Sequence, residues 1–424
     1  MISILSRWKL ILLMIVLSII LFRYMIETHV QISFYKRGWI SELLPPDPPL
    51  VSSKCFSKDY LKNTFDPTSS SFPSSPLYNL SLGTLGLRPK VLTLSPGFDL
   101  PHYDDCYRFA NTIPGKPTTI MEESSLRNDQ VNYFHVYWRS DLSSISERQL
   151  ITLQSILISQ DFSTVDSSSS KFKSHIILWT NPSIRKLDND PLLSPFIKKH
   201  ANKISLRVIN LIELTKYTSM ENHELLNKVF DKKAWLDGDL IRVLVLWNFG
   251  GFWIDMDNLV LKDLRVLSEH EWVVMWDCYD KPYEPLNGHI MHFQKQSPYL
   301  CEMLDLMSKP PTPRPSSTDW GQHLYHRLYR SLISSGITPF KVLPYCLTDG
   351  RSCNLKDRLP DPFDENEKKW NWNQDKWDQI QNRLKGVFSI HLHNQWDKSF
   401  PRNGWVWRFY IDHWQKVLGS TSVF

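Results

Sequence analysis

From Tyr133 onward, apolar runs of strand length alternate with stretches of helical spacing, and few architectures can bury a chain written this way. Tyr133-Phe134-His135-Val136-Tyr137-Trp138 reads as a strand ended by Arg139-Ser140-Asp141. Glu147 to Ser159 then has helical spacing, with Leu150, Leu153, Ile156 and Leu157 on one face. His175 to Thr180 is a second strand, stopped by Asn181-Pro182, and Ile204 to Ile212 a third, with Val208, Asn210 and Ile212 alternating. Strands separated by helices predict an α/β fold with a mainly parallel sheet flanked by helices, in which ligands sit beyond the carboxyl ends of the strands.

The segment from Asp239 to Asp257 concentrates the chemistry. Leu240, Ile241, Val243, Leu244, Val245, Leu246 and Trp247 make the helix Asp239 to Asn248 apolar nearly all round, so it is expected to be buried. Asp239 and Arg242 nevertheless sit three apart on one face at its start. Two readings are open: an intrahelical ion pair favoured by the helix dipole, or a pair facing a cleft and hydrogen-bonding a polyhydroxylated ligand. Gly250-Gly251 is expected to end the helix with positive φ and turn the chain into the apolar run that finishes at Ile254.

Asp255-Met256-Asp257 follows at that strand's end. Two carboxylates two apart on an extended segment project to one side and can share a hard divalent cation, Mn²⁺ or Mg²⁺, which in turn can grip a diphosphate. Other uses of acidic residues fit less well. An aspartyl phosphotransferase would place Thr or Val where Leu259 stands, and an EF-hand loop would need an acidic or amide residue at Leu259 and Gly at Val260.

The whole string, Asp239-Leu240-Ile241-Arg242, seven residues, then Gly250-Gly251-Phe252-Trp253-Ile254-Asp255-Met256-Asp257, resembles the signature of sugar-nucleotide glycosyltransferases with a DXD sugar-binding region. The resemblance is to glycosyltransferase family 32, the group of α-1,4-galactosyltransferases and fungal initiating α-1,6-mannosyltransferases. It continues in Leu286 to Phe293, similar to an acceptor-side Asn-Gly strand, in Trp320-Gly321-Gln322, and in Phe388 to Asn394, similar to a C-terminal His-x-Trp-Asn. Gly238, Trp253 and His393 depart from the usual Ser, Tyr and Trp, and none of these departures removes a carboxylate.

The resemblance implies a GT-A fold and metal-dependent transfer of a hexose from a nucleotide sugar, with retention of the α configuration, to a glycan or glycolipid acceptor. It implies Asp255, Asp257 and His391 as metal and diphosphate ligands, Asp239 and Arg242 as groups holding the donor sugar, Asn287 as a catalytic group on the acceptor side, and Trp138 as a base-stacking ring. No residue presents itself as a covalent nucleophile. Retention then implies a front-face reaction in which the leaving phosphate helps deprotonate the acceptor, with Asn287, Asp277 or Asp280 as alternative assistants. A UDP-sugar is slightly favoured over the GDP-mannose of the fungal branch. A membrane-anchored carbohydrate-binding protein without catalysis is the reading from a different class.

The N-terminus reads as membrane. Leu10 to Phe22 carries no charge, Arg7 and Lys9 precede it, and Tyr24-Met25-Ile26 extends it past Arg23. The expected organisation is a cytoplasmic tail at 1–9, a transmembrane anchor at 10–26, a stem and N-terminal decoration at 27–132, and the catalytic domain at 133–424, as in a single-pass type II Golgi protein. Pro45-Pro46-Asp47-Pro48-Pro49 and Ser69-Ser70-Ser71 suit a stem because neither can build a core. The six cysteines can pair in a lumen, and Cys346 with Cys353 is the expected local pair; Asn79-Leu80-Ser81 is a glycosylation acceptor. The net charge of +5 on 424 residues, with no long basic run, argues against nucleic acid as a partner. The C-terminal tryptophans Trp370, Trp372, Trp377, Trp396, Trp405 and Trp407 suit either an acceptor cleft or packing.

Overall fold

The computed structural model of the chain describes residues 4–25, 50–51, 54–57, 104–113, 131–160, 162, 173–182, 185–276, 285–351, 358–365 and 373–418. Asp277, Asp280, Cys278, Cys353, Trp370, Trp372, the Asn79 acceptor and the Pro-rich and Ser-rich runs lie outside the described residues. Contacts divide the chain into Met1–Pro46 and Asp47–Phe424.

In the first unit, Ile4–Met25 forms helix α1, and its residues Ile11 to Phe22 are all exposed. Among the described residues no helix is long and apolar enough to cross a membrane. The physical reason is length. The uncharged run Leu10 to Phe22 holds 13 residues between Lys9 and Arg23, and at about 1.5 Å per residue it covers about 20 Å of a hydrocarbon core about 30 Å thick. The expected span over 10–26 finds no support in the structure.

The larger unit begins before Tyr133. Helix α2 (Asp104–Ala110) buries Cys106, Tyr107 and Ala110, and Cys55 and Phe56 are buried as well. Disulfides Cys55–Cys301 and Cys106–Cys346 fasten both pieces to the body. This corrects one expectation. Cys346 pairs across 240 residues with Cys106 and not with Cys353; the buried pieces lie within the 27–132 segment expected as stem and N-terminal decoration. Sequence proximity favoured the local pair, but packing brings the distant cysteines to a Cα separation of 6.0 Å, within the reach of a disulfide.

The central sheet is built as the strand–helix alternation predicts. Strand β1 (Val131–Trp138) is followed by helix α3 (Glu147–Ser159), opened by a capping box between Ser146 and Gln149. Strands β2 (Lys173–Thr180) and β3 (Ile204–Val208), helix α4 (Leu236–Phe249) and strand β4 (Gly251–Ile254) follow. After the short strand β5 (Asn258–Val260) come β6 (Trp272–Met275), β7 (Leu286–Phe293), helix α5 (Pro298–Met307), helix α6 (Gln322–Ser334), β8 (Lys341–Leu343) and β9 (Ser389–His391). The order across the sheet is β3-β2-β1-β4-β7-β6-β8. Only β7 runs antiparallel to its neighbours β4 and β6. Apolar clusters cover the sheet, one including α3 and the C-terminal segment and the other centred on α4, α5 and α6.

Helix α4 is buried on all sides, with Leu240, Ile241, Val243, Leu244, Val245 and Leu246 inaccessible. At about 1.5–3 kcal/mol for each fully buried aliphatic side chain, this core offsets the desolvation of the three charged groups the helix carries, Asp237, Asp239 and Arg242. Gly250 and Gly251 end it with φ of +69° and +99°, as expected. A Cβ on Gly251 would lie 2.3 Å from the Tyr133 carbonyl oxygen, so glycine is also required for β4 to lie against β1.

Candidate active site

A cleft of about 1250 Å³ opens beyond the carboxyl ends of β1 and β4, where a parallel sheet presents its ligands. Of the residues singled out from the sequence, Trp138, Asp239, Arg242, Asp255, Asp257, Asn287 and His391 all line it.

Asp255 and Asp257 reach the cleft by a route different from the expected one. Strand β4 ends at Ile254, and the Asn258 N–H donates to the Asp255 carbonyl at 3.1 Å, so the pair sits in a turn and not on extended backbone. The two carboxylates consequently have different surroundings. Asp255 accepts from Trp253 Nε1 at 2.6 Å and from Arg242 Nη2 at 3.2 Å. Asp257 accepts from the Asn394 N–H at 2.7 Å and lies 3.3 Å from His391 Nε2. Burial pushes the Asp255 carboxyl up to about 6 despite Arg242, with the nearby Asp257 charge adding to the effect. Burial would also raise Asp257, but His391 and the Asn394 N–H outweigh it and hold its carboxyl well below the usual range.

His391 owes its place to the small ribbon in which β9 pairs antiparallel with β5. The register sets His391 opposite Asn258, and the Leu392 N–H donates to the Asp257 carbonyl at 2.8 Å. Beyond the strand, His393 and Asn394 adopt left-handed φ of +53° and +58°, a conformation costing about 1–3 kcal/mol per non-glycine residue and concentrated at functional sites. That turn wraps Asp257. Burial lowers the affinity of His391 for a proton, yet Asp257 on one side and Asp349 on the other outweigh it and push the imidazole up to about 10.

Asp239 and Arg242 meet the first of the two readings open for them, the intrahelical ion pair, and they lie in the cleft that the second reading requires. They form an ion pair at 3.3 Å within the helix, and both face the cleft. Arg242 extends the pairing to Asp255 and donates from Nη1 to Tyr325 Oη at 3.2 Å, while burial pushes the Asp239 carboxyl up to about 7. Two glycines press on this pair. A Cβ on Gly288 would meet Arg242 Nη1 at 2.4 Å and Tyr325 Oη at 2.6 Å, and one on Gly321 would meet Asp239 Oδ2 at 2.8 Å. Gly288→Ala is therefore expected to push the guanidinium off Asp255 by about 1 Å and lower turnover about 100-fold, without unfolding the chain. Steady-state nucleotide release beside a thermal unfolding curve checks this.

Trp138 stands on the cleft wall, donating from Nε1 to the Ser143 carbonyl at 2.9 Å and lying edge-on to Trp396 at 5.3 Å. Trp407 lines the cleft too, whereas Trp377 and Trp405 are buried in the core. Asn287 accepts from the His289 N–H at 3.0 Å and faces the cleft beside Gly288.

Two contributors escaped the sequence. Arg148, buried at the start of α3, donates to Thr152 Oγ1 at 3.3 Å, and that hydroxyl donates at 3.0 Å to the carbonyl of Met256, between the two acidic residues. Its guanidinium also stacks over Phe400 at 4.9 Å. Asp349, fully buried, accepts from His391 Nδ1 at 3.1 Å and from His393 Nε2 at 2.7 Å. Neither belongs to a spaced motif, and only packing across distant segments brings them in.

The donor set fits a hard divalent cation. Asp257 and His391 present a carboxylate and an imidazole to the cleft; the carboxylate suits a hard cation such as Mn²⁺ or Mg²⁺, and the imidazole tilts the set toward the transition-metal ion Mn²⁺. A second grouping, His289, Asp349 and His391, has ligand atoms within 4.8 Å of one another, and neither ring nitrogen of His289 has a hydrogen-bond partner among the described residues. His289 and Asp349 do not line the cleft, so an ion that must meet a ligand there is better held on the Asp257 side of His391.

Residues 122–274 match a family model described as "Glycosyltransferase sugar-binding region containing DXD motif". The match encloses Asp239, Arg242, Asp255 and Asp257, so this part of the chain is similar to a DXD-containing glycosyltransferase sugar-binding region, and the chain is an enzyme of the transferase class. No match to a curated protein was found. Among solved structures, mouse xyloside xylosyltransferase 1 is similar at 10% identity, over 63% of this chain and 99% of that one, with a TM-score of 0.38. The glycosyltransferase GlyE of Streptococcus pneumoniae is similar at 12% identity, over 69% and 63%, with a TM-score of 0.34. The galactosyltransferase LgtC in complex with donor and acceptor sugar analogs is similar at 9% identity, over 69% and 97%, with a TM-score of 0.33.

Proposed function

We propose that the chain is a metal-dependent retaining glycosyltransferase of GT-A type, in the family 32 group, moving a hexose from a nucleotide sugar to a glycan or glycolipid. The observation that carries this reading is the meeting, in one cleft, of the Asp257–His391 pair with the Asp239–Arg242 pair. One pair suits a cation on the donor diphosphate, and the other suits the hydroxyls of the sugar attached to it.

In this reading Asp257 and His391 hold Mn²⁺ or Mg²⁺, with Asp255 beside them. The cation supplies Lewis-acid stabilisation of the charge on the departing diphosphate. Arg242 keeps Asp255 oriented, and Asp239 accepts from sugar hydroxyls. Trp138 offers a ring for the nucleoside base at the cleft wall. Asn287 orients the acceptor side, and the buried walls exclude water, which strengthens each of these electrostatic contacts. No side chain is assigned as a covalent nucleophile, so the contribution of the protein is positioning and electrostatics. A UDP-sugar donor is favoured over GDP-mannose on the Asn287-Gly288 strand. A Golgi lumenal address is supported by the two disulfides, which form in oxidising compartments. The exposed apolar side chains of α1 are the part proposed to meet the membrane.

The test is nucleotide release by the full chain from UDP-galactose, UDP-glucose, UDP-N-acetylglucosamine and GDP-mannose, each with Mn²⁺ and with a chelator. One donor is expected to be hydrolysed slowly in a cation-dependent manner. Binding without any hydrolysis would identify a carbohydrate-binding protein and sink the enzyme reading, while preferential cleavage of GDP-mannose would move the chain to the mannosyltransferase branch.

A further inference from the structure

We infer that Asp349 is a positioning residue for the cation site: it fixes the tautomer and ring plane of His391, so that Nε2 is the nitrogen offered beside Asp257. The inference rests on the proposed cation site and adds to it a residue that touches neither donor nor cleft.

Asp349 closes a short helix, Tyr345–Thr348, and is inaccessible, as is the neighbouring Thr348. A carboxylate buried this deeply is costly unless its oxygens are occupied. Here each oxygen takes one imidazole. Oδ2 faces His391 Nδ1 at 3.1 Å and Oδ1 faces His393 Nε2 at 2.7 Å. An ionised carboxylate only accepts, so Nδ1 of His391 must carry a proton. With that proton committed, Nε2 is the nitrogen left for a cation, and it lies 3.3 Å from Asp257 Oδ2 on the cleft side. Carboxylates hydrogen-bonded to the far nitrogen of a ligating histidine fix its orientation and raise its basicity.

The ring is held by its face as well. His289 stacks on His391 at a centroid distance of 4.1 Å with the planes 4° apart, and the His393 ring lies 4.1 Å away, tilted by 30°. His393 therefore does more than occupy a turn. Its left-handed backbone aims the imidazole back at Asp349, while the next residue, Asn394, sends its N–H to Asp257. One turn thus ties the orienting carboxylate and the ligating carboxylate together through His391.

The test uses the full chain and measures cation binding directly, by the loss of the free Mn²⁺ electron paramagnetic resonance signal in the presence of UDP or GDP. Asp349→Asn keeps the shape and one of the two acceptors but removes the charge, and it is expected to weaken Mn²⁺ binding 10- to 100-fold. Affinity for the nucleotide without a cation, and the unfolding midpoint of the cation-free chain, should change little, which a merely structural role would not predict. Unchanged Mn²⁺ affinity in Asp349→Asn would overturn the inference while leaving the cation site standing. Absence of nucleotide-dependent Mn²⁺ binding in the wild-type chain would overturn both. If Asp349→Asn does not fold, His393→Gln on the partly exposed side of the turn provides the reading. It is expected to weaken Mn²⁺ binding by about 3- to 10-fold, as it loosens but does not remove the hold of Asp349 on His391, and no change there would overturn the inference equally.

Discussion

Asp257→Asn is expected to reduce cation-dependent nucleotide release about 100- to 1,000-fold while the protein stays folded. The size follows from the role proposed for the carboxylate: a Lewis acid on the leaving diphosphate supplies several kcal/mol of transition-state stabilisation, and about 1.4 kcal/mol is one factor of ten in rate. The retention of structure follows from the contacts. Asparagine at this position still offers an oxygen to the Asn394 N–H, which now lies 2.7 Å from Asp257 Oδ2, so the turn that closes the site keeps its anchor. What is lost is the charge that His391 and a cation both require. The measurement is initial rate against Mn²⁺ concentration for the preferred donor, with a thermal unfolding curve as control. Turnover within about threefold of wild type would remove Asp257 from the mechanism, since no effect worth less than about 1 kcal/mol is compatible with ligating the catalytic ion.

Residues 133–424 expressed alone are expected not to reach the native state, although the motifs all lie within them. Cutting at Tyr133 removes Cys55 and Cys106 and strands Cys301 and Cys346, the partners they hold in the body. Loss of a native disulfide costs about 2–5 kcal/mol, so two together approach the whole net stability of a typical domain, about 5–15 kcal/mol. The buried Phe56, Tyr107 and Ala110 would go with them and open their packing sites in both apolar clusters. A chain beginning ahead of Cys55 is expected to be soluble, cooperative in thermal unfolding and resistant to limited proteolysis, and the shorter one to lack all three properties. A cooperative, active 133–424 fragment would show that the N-terminal pieces are ornament.

Much of the site is legible along the chain because its groups lie in local, periodic contexts. The 3.6-residue spacing sets Asp239 and Arg242 on one helix face, the apolar run buries that helix, and Gly250-Gly251 delivers the chain to β4 with no Cβ to meet the Tyr133 carbonyl. Each of these is decided within a few residues, by backbone sterics and by the periodicity of apolar side chains. The same local logic failed at Asp255-Met256-Asp257, where extended geometry was expected and a turn is found. The chain leaves β7 after the Asp255 N–H donates to the His289 carbonyl at 2.8 Å, and the turn closed by Asn258 carries it to β9, a pairing that no local pattern announces.

What only the tertiary structure decided is the company these residues keep. Asp349 and His391 are 42 positions apart, Thr152, which Arg148 holds, reaches the Met256 carbonyl across 104, and Cys106 finds Cys346 across 240. No period or motif encodes such distances, because contacts between remote segments are selected by how whole faces pack and not by spacing along the chain. Sequence alone therefore determined the strand–helix alternation, the buried charged helix and the acidic pair of the DXD motif. Folding determined which histidine nitrogen faces that acidic pair, which carboxylate lies behind it, and that the body starts well ahead of its first predicted strand.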